Sequence, residues 1–438
     1  MRDSVFGGLV AEIRTIRAAR RFGRVTGVGR GVLSVSGLSA AAGDRVTVLA
    51  APGARVGGEV IEVTQDNIIV LPESPLDGFR IGDRVLLDGA LTIAPDDSWL
   101  GRVVDPLGNP MDDAPLLPGP SPRPLRTAPP APARRRPLGP RLSTGVAVFN
   151  TMLPIVRGQR IGLFAGSGVG KTSLLGTLAK GVSADVVVIA LIGERGRELR
   201  EFVEHVLGPE GMKRAVLVVA TSDQSPLLRR QAAWTAIAVA EHFRDSGRHV
   251  LLVADSVTRF AEAHREVALA AGEAPSLRGY PPSVAHMIMS LAERAGPGEA
   301  TAGDITAIFT VLVAGSDMEG PVADILRGVL DGHVVLDRAI AERGRYPAID
   351  LLRSVSRSLP AAATDEENAL ISEARHTLSI YHAAEMMIQA GLYTAGSNPE
   401  IDRAVALWPK LDAFLAEGET GDVSDSFQRL GRYLGRLP

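Results

Sequence analysis

The run Ala165-Gly166-Ser167-Gly168-Val169-Gly170-Lys171-Thr172, followed by Ser173, sets glycines at alternate positions directly ahead of a lysine and a hydroxyl residue. Glycines at that spacing let the backbone curl until its N–H groups face inward as a cradle for phosphate oxygens. A helix starting near Lys171 adds the positive end of its dipole. In such a loop Lys171 reaches the β- and γ-phosphates and the Thr172 hydroxyl holds magnesium. Ala165 stands where the strict pattern has glycine, a position that needs only a small residue.

Binding a triphosphate is not hydrolysing it, and two acidic positions bear on the difference. Asp255 closes the apolar run HVLLVAD. A parallel strand would deliver it to the sheet edge that carries the phosphate loop, to bind magnesium through water. Glu194, in LIGERGRE with Arg195, Arg197 and Glu198, closes another apolar run, where ligands of open α/β sheets lie. It can polarise an attacking water. It can equally belong to a solvated charge cluster that opens the next helix, and local sequence does not choose.

The elements that would position these groups are legible as alternating patterns. From about Gly158 to Asp350, the apolar runs RIGLFAG, DVVVIALIG, AVLVVATSD, HVLLVADS and DITAIFTVLVAG each precede a helix-like stretch. This implies buried parallel strands with crossover helices. From Val25 to Ile93, short β-rich runs separated by Gly, Asp and Asn turns predict a small barrel. Residues 114–140 are crowded with proline and carry Arg134, Arg135 and Arg136 together. They read as an extended connector, with a basic binding patch or a proline-motif ligand as the alternatives. After about Pro360 helical spacing dominates. Val5, Phe6, Leu9, Ile13 and Ile16 make residues 1–22 an amphipathic helix, for packing or for docking on a partner or an acidic lipid surface. The resulting division is a helix over 1–22, a barrel over 23–95, an α/β domain over 96–358 and a helical domain over 359–438.

At 438 residues with 45% apolar and 22% charged content, the chain has the composition of a multi-domain globular protein. The absence of cysteine rules out disulfides, thiolate metal sites and cysteine nucleophiles. A net charge of -3 gives no chain-wide reason to expect nucleic acid as a partner. The first residues carry acids and arginines where a secretory signal has an apolar block, so a cytoplasmic location is expected.

Taken together, AGSGVGKT, GERGRE, DSVTRFAEAHRE, RGYPPSV and YPAIDLLRSVSR resemble the catalytic-type subunits of the rotary ATPase superfamily, and among these the flagellar type III export ATPases. GRVVDPLGNPMD and AGLYTAGSNPEIDRAV extend the likeness from about residue 25 to 410. The resemblance implies a RecA-like core and ATP and Mg2+ as ligands. It also implies roles: Glu194 as the water-orienting carboxylate, Arg195 as a coupling residue beside it, and Arg357 as an arginine finger for the adjacent subunit. Tyr346 would stack on adenine, with Tyr393 as a second candidate for that pocket. The bland alternative for Arg357 is a salt bridge. The implied partners are five more copies in a ring, a central coiled-coil stalk touched by EAPSLRGYPPSV, a regulatory stator-like protein on residues 1–20, export chaperones and substrates, and the inner-membrane base of the flagellum. A virulence secretion ATPase, a proton-coupled synthase β-type subunit and an RNA helicase are the competing readings.

Overall fold

The computed structural model describes residues 21–50, 53–112, 114–313, 318–419 and 421–436. The helix expected over residues 1–22 falls outside them, except for Arg21 and for Phe22, which opens the first strand. Six strands close into a barrel: β1 (Phe22–Gly29), β2 (Val32–Ser36), β3 (Arg45–Ala50), β4 (Ala54–Val63), β5 (Ile68–Pro72) and β6 (Arg84–Gly89). Their order is β1-β2-β5-β4-β3-β6, each pair antiparallel. Alternation of buried and half-buried positions in β2, β3 and β5 sends Leu33, Val35, Val46, Val48, Ile68 and Val70 inward, as period-two sequence requires.

Beyond the barrel, β7 (Thr92–Ile93) pairs with β9 (Arg123–Pro124), and β8 (Val103–Val104) joins the edge of the main sheet. That sheet contains β10 (Arg160–Ala165), β11 (Val186–Glu194), β12 (Ala215–Thr221), β13 (His249–Asp255), β14 (Gly296–Pro297), β15 (Asp304–Leu312), β16 (Gly332–Leu336) and β17 (Ile349–Ser356). Its order is β17-β16-β10-β15-β13-β11-β12-β8, with β14 beside β15. All pairs are parallel except β16 with β17 and β14 with β15. The five apolar runs singled out in the sequence are β10, β11, β12, β13 and β15, and helices on both faces bury them. β16 and β17 extend the sheet beyond those five runs and lack their signal, because GHVVL is short and IDLLRSVS mixes polar residues into its apolar positions. Three helices, Asp365–Gln389, Pro399–Phe414 and Val423–Tyr433, form the C-terminal domain. Capping boxes at Thr364 and Asp422 start the first and last, and Asn398 caps the middle one.

The proline-rich connector is extended and stitched down by its arginines. Arg136 donates to Asp304 (2.6 Å) and to carbonyls at Gly298 and Ala302, and Arg135 donates to the Ala295 carbonyl at 2.9 Å. This explains the Arg134–Arg136 cluster as a clamp of the connector onto the α/β domain, with Arg134 exposed and 3.9 Å from Glu299.

A buried polar chain runs from barrel to core. Glu59 on β4 accepts from Arg126 of the connector (2.5 Å) and from Arg230 (2.7 Å) on the helix Pro226–Asp245. Both guanidiniums lie over the Trp234 ring. Arg230 continues to His264 Nδ1 (3.2 Å), whose Nε2 meets Ser283 Oγ (3.0 Å), whose hydroxyl donates to Glu273 (2.6 Å). Because arginine only donates, His264 Nδ1 accepts and Nε2 carries the proton, so the imidazole is neutral here. Burial, reinforced by the charge of Arg230, pushes His264 down to about 4. In the unfolded chain the same group titrates near 6.5. Between those values only the unfolded state takes up the proton, so stability falls as pH drops from 6.5 toward 4 and is unaffected by this group above 6.5. The expected loss is up to about 3 kcal/mol. Denaturant midpoints across that window should decline more steeply for the native chain than for His264→Gln.

Candidate nucleotide site

The phosphate loop spans the end of β10 and the start of the helix Lys171–Gly181. Phe164, Ala165 and Val169 are buried, which anchors the loop at both ends, while Ser167 and Gly168 face outward. Gly168 and Gly170 have φ of 75° and 83°, the left-handed region open to glycine at no steric cost. Gly170 is required a second time, because a Cβ there would lie 2.9 Å from the Tyr346 ring. Thr172 and Ser173 are exposed in the first turn, where their hydroxyls and backbone N–H groups are available to an anion and its counter-ion.

Strand order brings the acidic residues to this loop. Asp255 ends β13 and is only 4% exposed. Its Oδ1 accepts from Lys171 Nζ in a short contact, and from Thr310 Oγ1 at 2.7 Å. Glu194, at the end of β11, turns to within 3.8 Å of Lys171 Nζ. Its side chain therefore reaches the loop while also sharing a hydrogen bond with Glu198 of the charge cluster that opens the helix Gly196–Glu201. Burial, then the negative charge of Asp255, raises the Glu194 carboxyl to about 7, with Lys171 opposing both. Arg195 points away, 74% exposed and 3.6 Å from Glu198.

The Lys171 ammonium, held between two carboxylates, marks where positive charge is wanted. A hard divalent ion fits the same place, with an oxygen donor in the Thr172 hydroxyl and the Asp255 carboxylate holding it through water. Among the described residues no three His, Cys, Asp or Glu side chains could cage an ion. The remaining ligands would thus be phosphate oxygens and water, the way magnesium is held in phosphoryl-transfer sites.

Next to the loop lies a cleft of about 580 Å³ lined by Gly170, Ser173, Thr177, Val146, Tyr346 and the segment Ala416–Gly418. Tyr346 is half exposed, with ring atoms Cδ1 and Cε1 next to Gly170, so the ring is open to a base entering the cleft. Tyr393 is not brought to this cleft. Its hydroxyl donates to the start of the helix Pro399–Phe414, where Asn398 O at the cap (3.0 Å) and Asp402 Oδ1 in the first turn (2.9 Å) accept. Ala416–Gly418 lines the cleft instead, brought beside Val146 by a β-bridge between Val146 and Gly418. No local signal in the sequence marks that segment, since small residues after a helix are common.

Arg357 follows β17. Its backbone N–H donates to Asp331 and its guanidinium to the Arg327 carbonyl at 3.1 Å. Among the described residues it makes no ion pair, so the salt-bridge alternative has no partner here. Ser356 pairs with Gly332, the first residue of β16, which places Arg357 at the amino-terminal edge of the sheet. Its own phosphate loop is at the opposite edge, separated by the length of β10, roughly 17 Å at ~3.3 Å per residue.

A phosphate loop at the carboxyl edge of a parallel sheet, with a carboxylate on each of two neighbouring strands, defines a P-loop nucleotide hydrolase. The nucleotide-binding domain of the ATP synthase alpha/beta family matches residues 145–356, and the type III secretion EscN ATPase C-terminal domain matches residues 363–432. The flagellum-specific ATP synthase of Caulobacter vibrioides is 45% identical over 97% of this chain and 98% of its own length. That of Salmonella typhimurium is 42% identical over 96% and 95%. The assembled ATPase EscN of the enteropathogenic E. coli type III secretion system superposes with a TM-score of 0.87 at 38% identity, covering 94% of this chain and all of EscN. EscN in complex with its central stalk EscO superposes at 0.85. The chain belongs to the family of flagellum-specific ATP synthases, and it is an ATP-hydrolysing enzyme of flagellar and type III protein export.

Proposed function

We propose that this chain hydrolyses Mg·ATP in a homohexameric ring whose active sites lie between protomers. The observation that carries the proposal is the placement of Lys171, Glu194 and Asp255 together at one edge of the sheet with Arg357 at the other. Lys171 exchanges Asp255 for the β- and γ-phosphates when nucleotide binds, and Thr172 and Asp255 hold magnesium, which supplies neutralising charge to the phosphates. Tyr346 stacks on the adenine. Glu194 accepts a hydrogen bond from the attacking water, aligning it as its oxygen bonds to the γ-phosphorus and the bond to the ADP oxygen breaks. Arg195, exposed beside Glu194, faces the neighbour and couples the sites. Arg357 from the adjacent protomer neutralises the transferred phosphoryl group.

The same ring gives a bore for a coiled-coil stalk, as EscN has EscO. The segment between the helices Val257–Ala270 and Ser283–Arg294, non-helical except for a short turn at Leu277–Gly279, is the candidate contact. Residues 1–20 remain the candidate docking segment for a stator-like regulator, with the enzyme peripheral at the cytoplasmic face of the export gate where chaperones and substrates arrive. No described helix is long and apolar enough to cross a membrane.

Lys171→Ala tests the loop. Removing the ammonium is expected to weaken nucleotide binding by about 100-fold, the scale of a lost charge-assisted bond. Titration of a fluorescent ATP analogue reads it, and unchanged affinity would place the triphosphate elsewhere.

A further inference from the structure

We propose that Thr310 is a positioning residue that fixes the Asp255 carboxylate in its magnesium-ready orientation. The described residues make two hydrogen bonds to that carboxylate, both to Oδ1: one from Lys171 Nζ and one from Thr310 Oγ1 at 2.7 Å. Lys171 is flexible and has a second employment, since bound phosphates draw its ammonium away. Thr310 has neither property. It is fully buried in β15, the strand between β10 and β13, so its backbone is held by ladders on both sides. Its branched side chain has few rotamers. When Lys171 leaves, the Thr310 hydroxyl is the partner that stays, and it holds Oδ1 while Oδ2 carries no hydrogen bond from the described residues.

The strand's other buried hydroxyl shows that threonine here is not a generic filler. Thr306 lies four residues earlier and serves Gly158 N (2.9 Å) and His249 Nε2 (2.8 Å) at the far edge of the sheet. In a strand reading DITAIFTVL, a hydroxyl at 310 in place of valine costs desolvation unless it donates. Its donor bond goes to the one acidic side chain that the site reading assigns to magnesium. Such outer partners of ligating carboxylates, when mutated, typically cost about 10–100-fold in metal affinity.

This inference rests on the reading of Asp255 as the magnesium-holding carboxylate, and the test separates the two. In the full chain, binding of a fluorescent ATP analogue is titrated without magnesium and then as a function of Mg2+ concentration. Thr310→Val keeps shape and removes the donor. It is expected to leave magnesium-free nucleotide affinity within about twofold and to raise the Mg2+ concentration for half-maximal tightening by about 10-fold or more. Thr310→Ser, which restores the hydroxyl, should return it to near the native value. If the valine chain does not fold, Thr310→Ala carries the same comparison. A native Mg2+ response in the donor-free chain, with Asp255→Asn shifted, overturns the role of Thr310 alone. A native response in Asp255→Asn overturns the reading beneath it. Equal loss of affinity with and without Mg2+ makes Thr310 merely structural and also overturns the proposal.

Discussion

Arg357→Ala is expected to bind nucleotide as the native chain does and to lose about 10³ to 10⁵ in turnover under assembling conditions, the range for an arginine supplied in trans. The sheet gives the reason. β17 runs antiparallel to β16, so the chain leaves it at the edge opposite the phosphate loop, beside Asp331 and Arg160. No rotamer of Arg357 spans the length of β10 to its own site, yet the residue is exposed and, among the described residues, its guanidinium is tethered only to a carbonyl. A partner protomer is what can use it. Arg357→Lys should rescue poorly, because a point charge lacks the planar fork. Mixing decides the matter: Lys171→Ala subunits have a dead loop but an intact Arg357, and Arg357→Ala subunits the reverse. Activity regained on mixing the two inactive proteins supports action across the interface. A mixture as inactive as its parts, in rings shown to co-assemble, removes it.

Glu194→Gln should also keep nucleotide binding and lose roughly 10²- to 10⁴-fold in turnover, the contribution of a positioned base. Glutamine matches the shape but cannot accept a proton or attract the water as strongly. The pH dependence makes the assignment specific. With the carboxyl raised to about 7 by burial and by Asp255, the nucleotide-free enzyme holds Glu194 largely protonated below that pH and ionised above it. An ionised group is the active form, so kcat/KM should fall as pH drops below about 7 and level off above it. The glutamine variant should lack that inflection. A retained inflection would assign the titration to another group, and native turnover in the variant would remove Glu194 from the chemistry.

How much of this was legible beforehand follows from the range of the interactions involved. The loop from Ala165 to Ser173 is a local object: glycine φ freedom, a helix start and a preceding apolar strand are all encoded within a dozen residues, and the structure has them. The parallel strands were legible too, because burial on both faces leaves unbroken Val, Ile and Leu runs such as VVVIALIGE. Roles that passed through the family likeness, Arg357 and Tyr346 among them, needed more than periodicity, and the likeness was carried by motifs scattered over most of the chain.

By itself, then, the sequence determined the phosphate cradle, the barrel, the strand runs and the helical tail, since each depends on neighbours a few residues apart. The tertiary structure alone decided which distant groups meet. Glu194 could have been a solvated helix start until β11 was placed three strands from β10 with its carboxylate near Lys171, and Asp255 meets a lysine 84 residues away. Thr310 had no visible role until β15 was inserted between loop strand and acid strand. Ala416–Gly418 lines the cleft because a β-bridge to Val146 carries it there, while Tyr393 bonds to Asn398 and Asp402 instead. The arginines of the connector became stitches when carbonyls of residues 295–302 came within reach. Strand order is a global outcome of burying every apolar face at once, and no local pattern contains it.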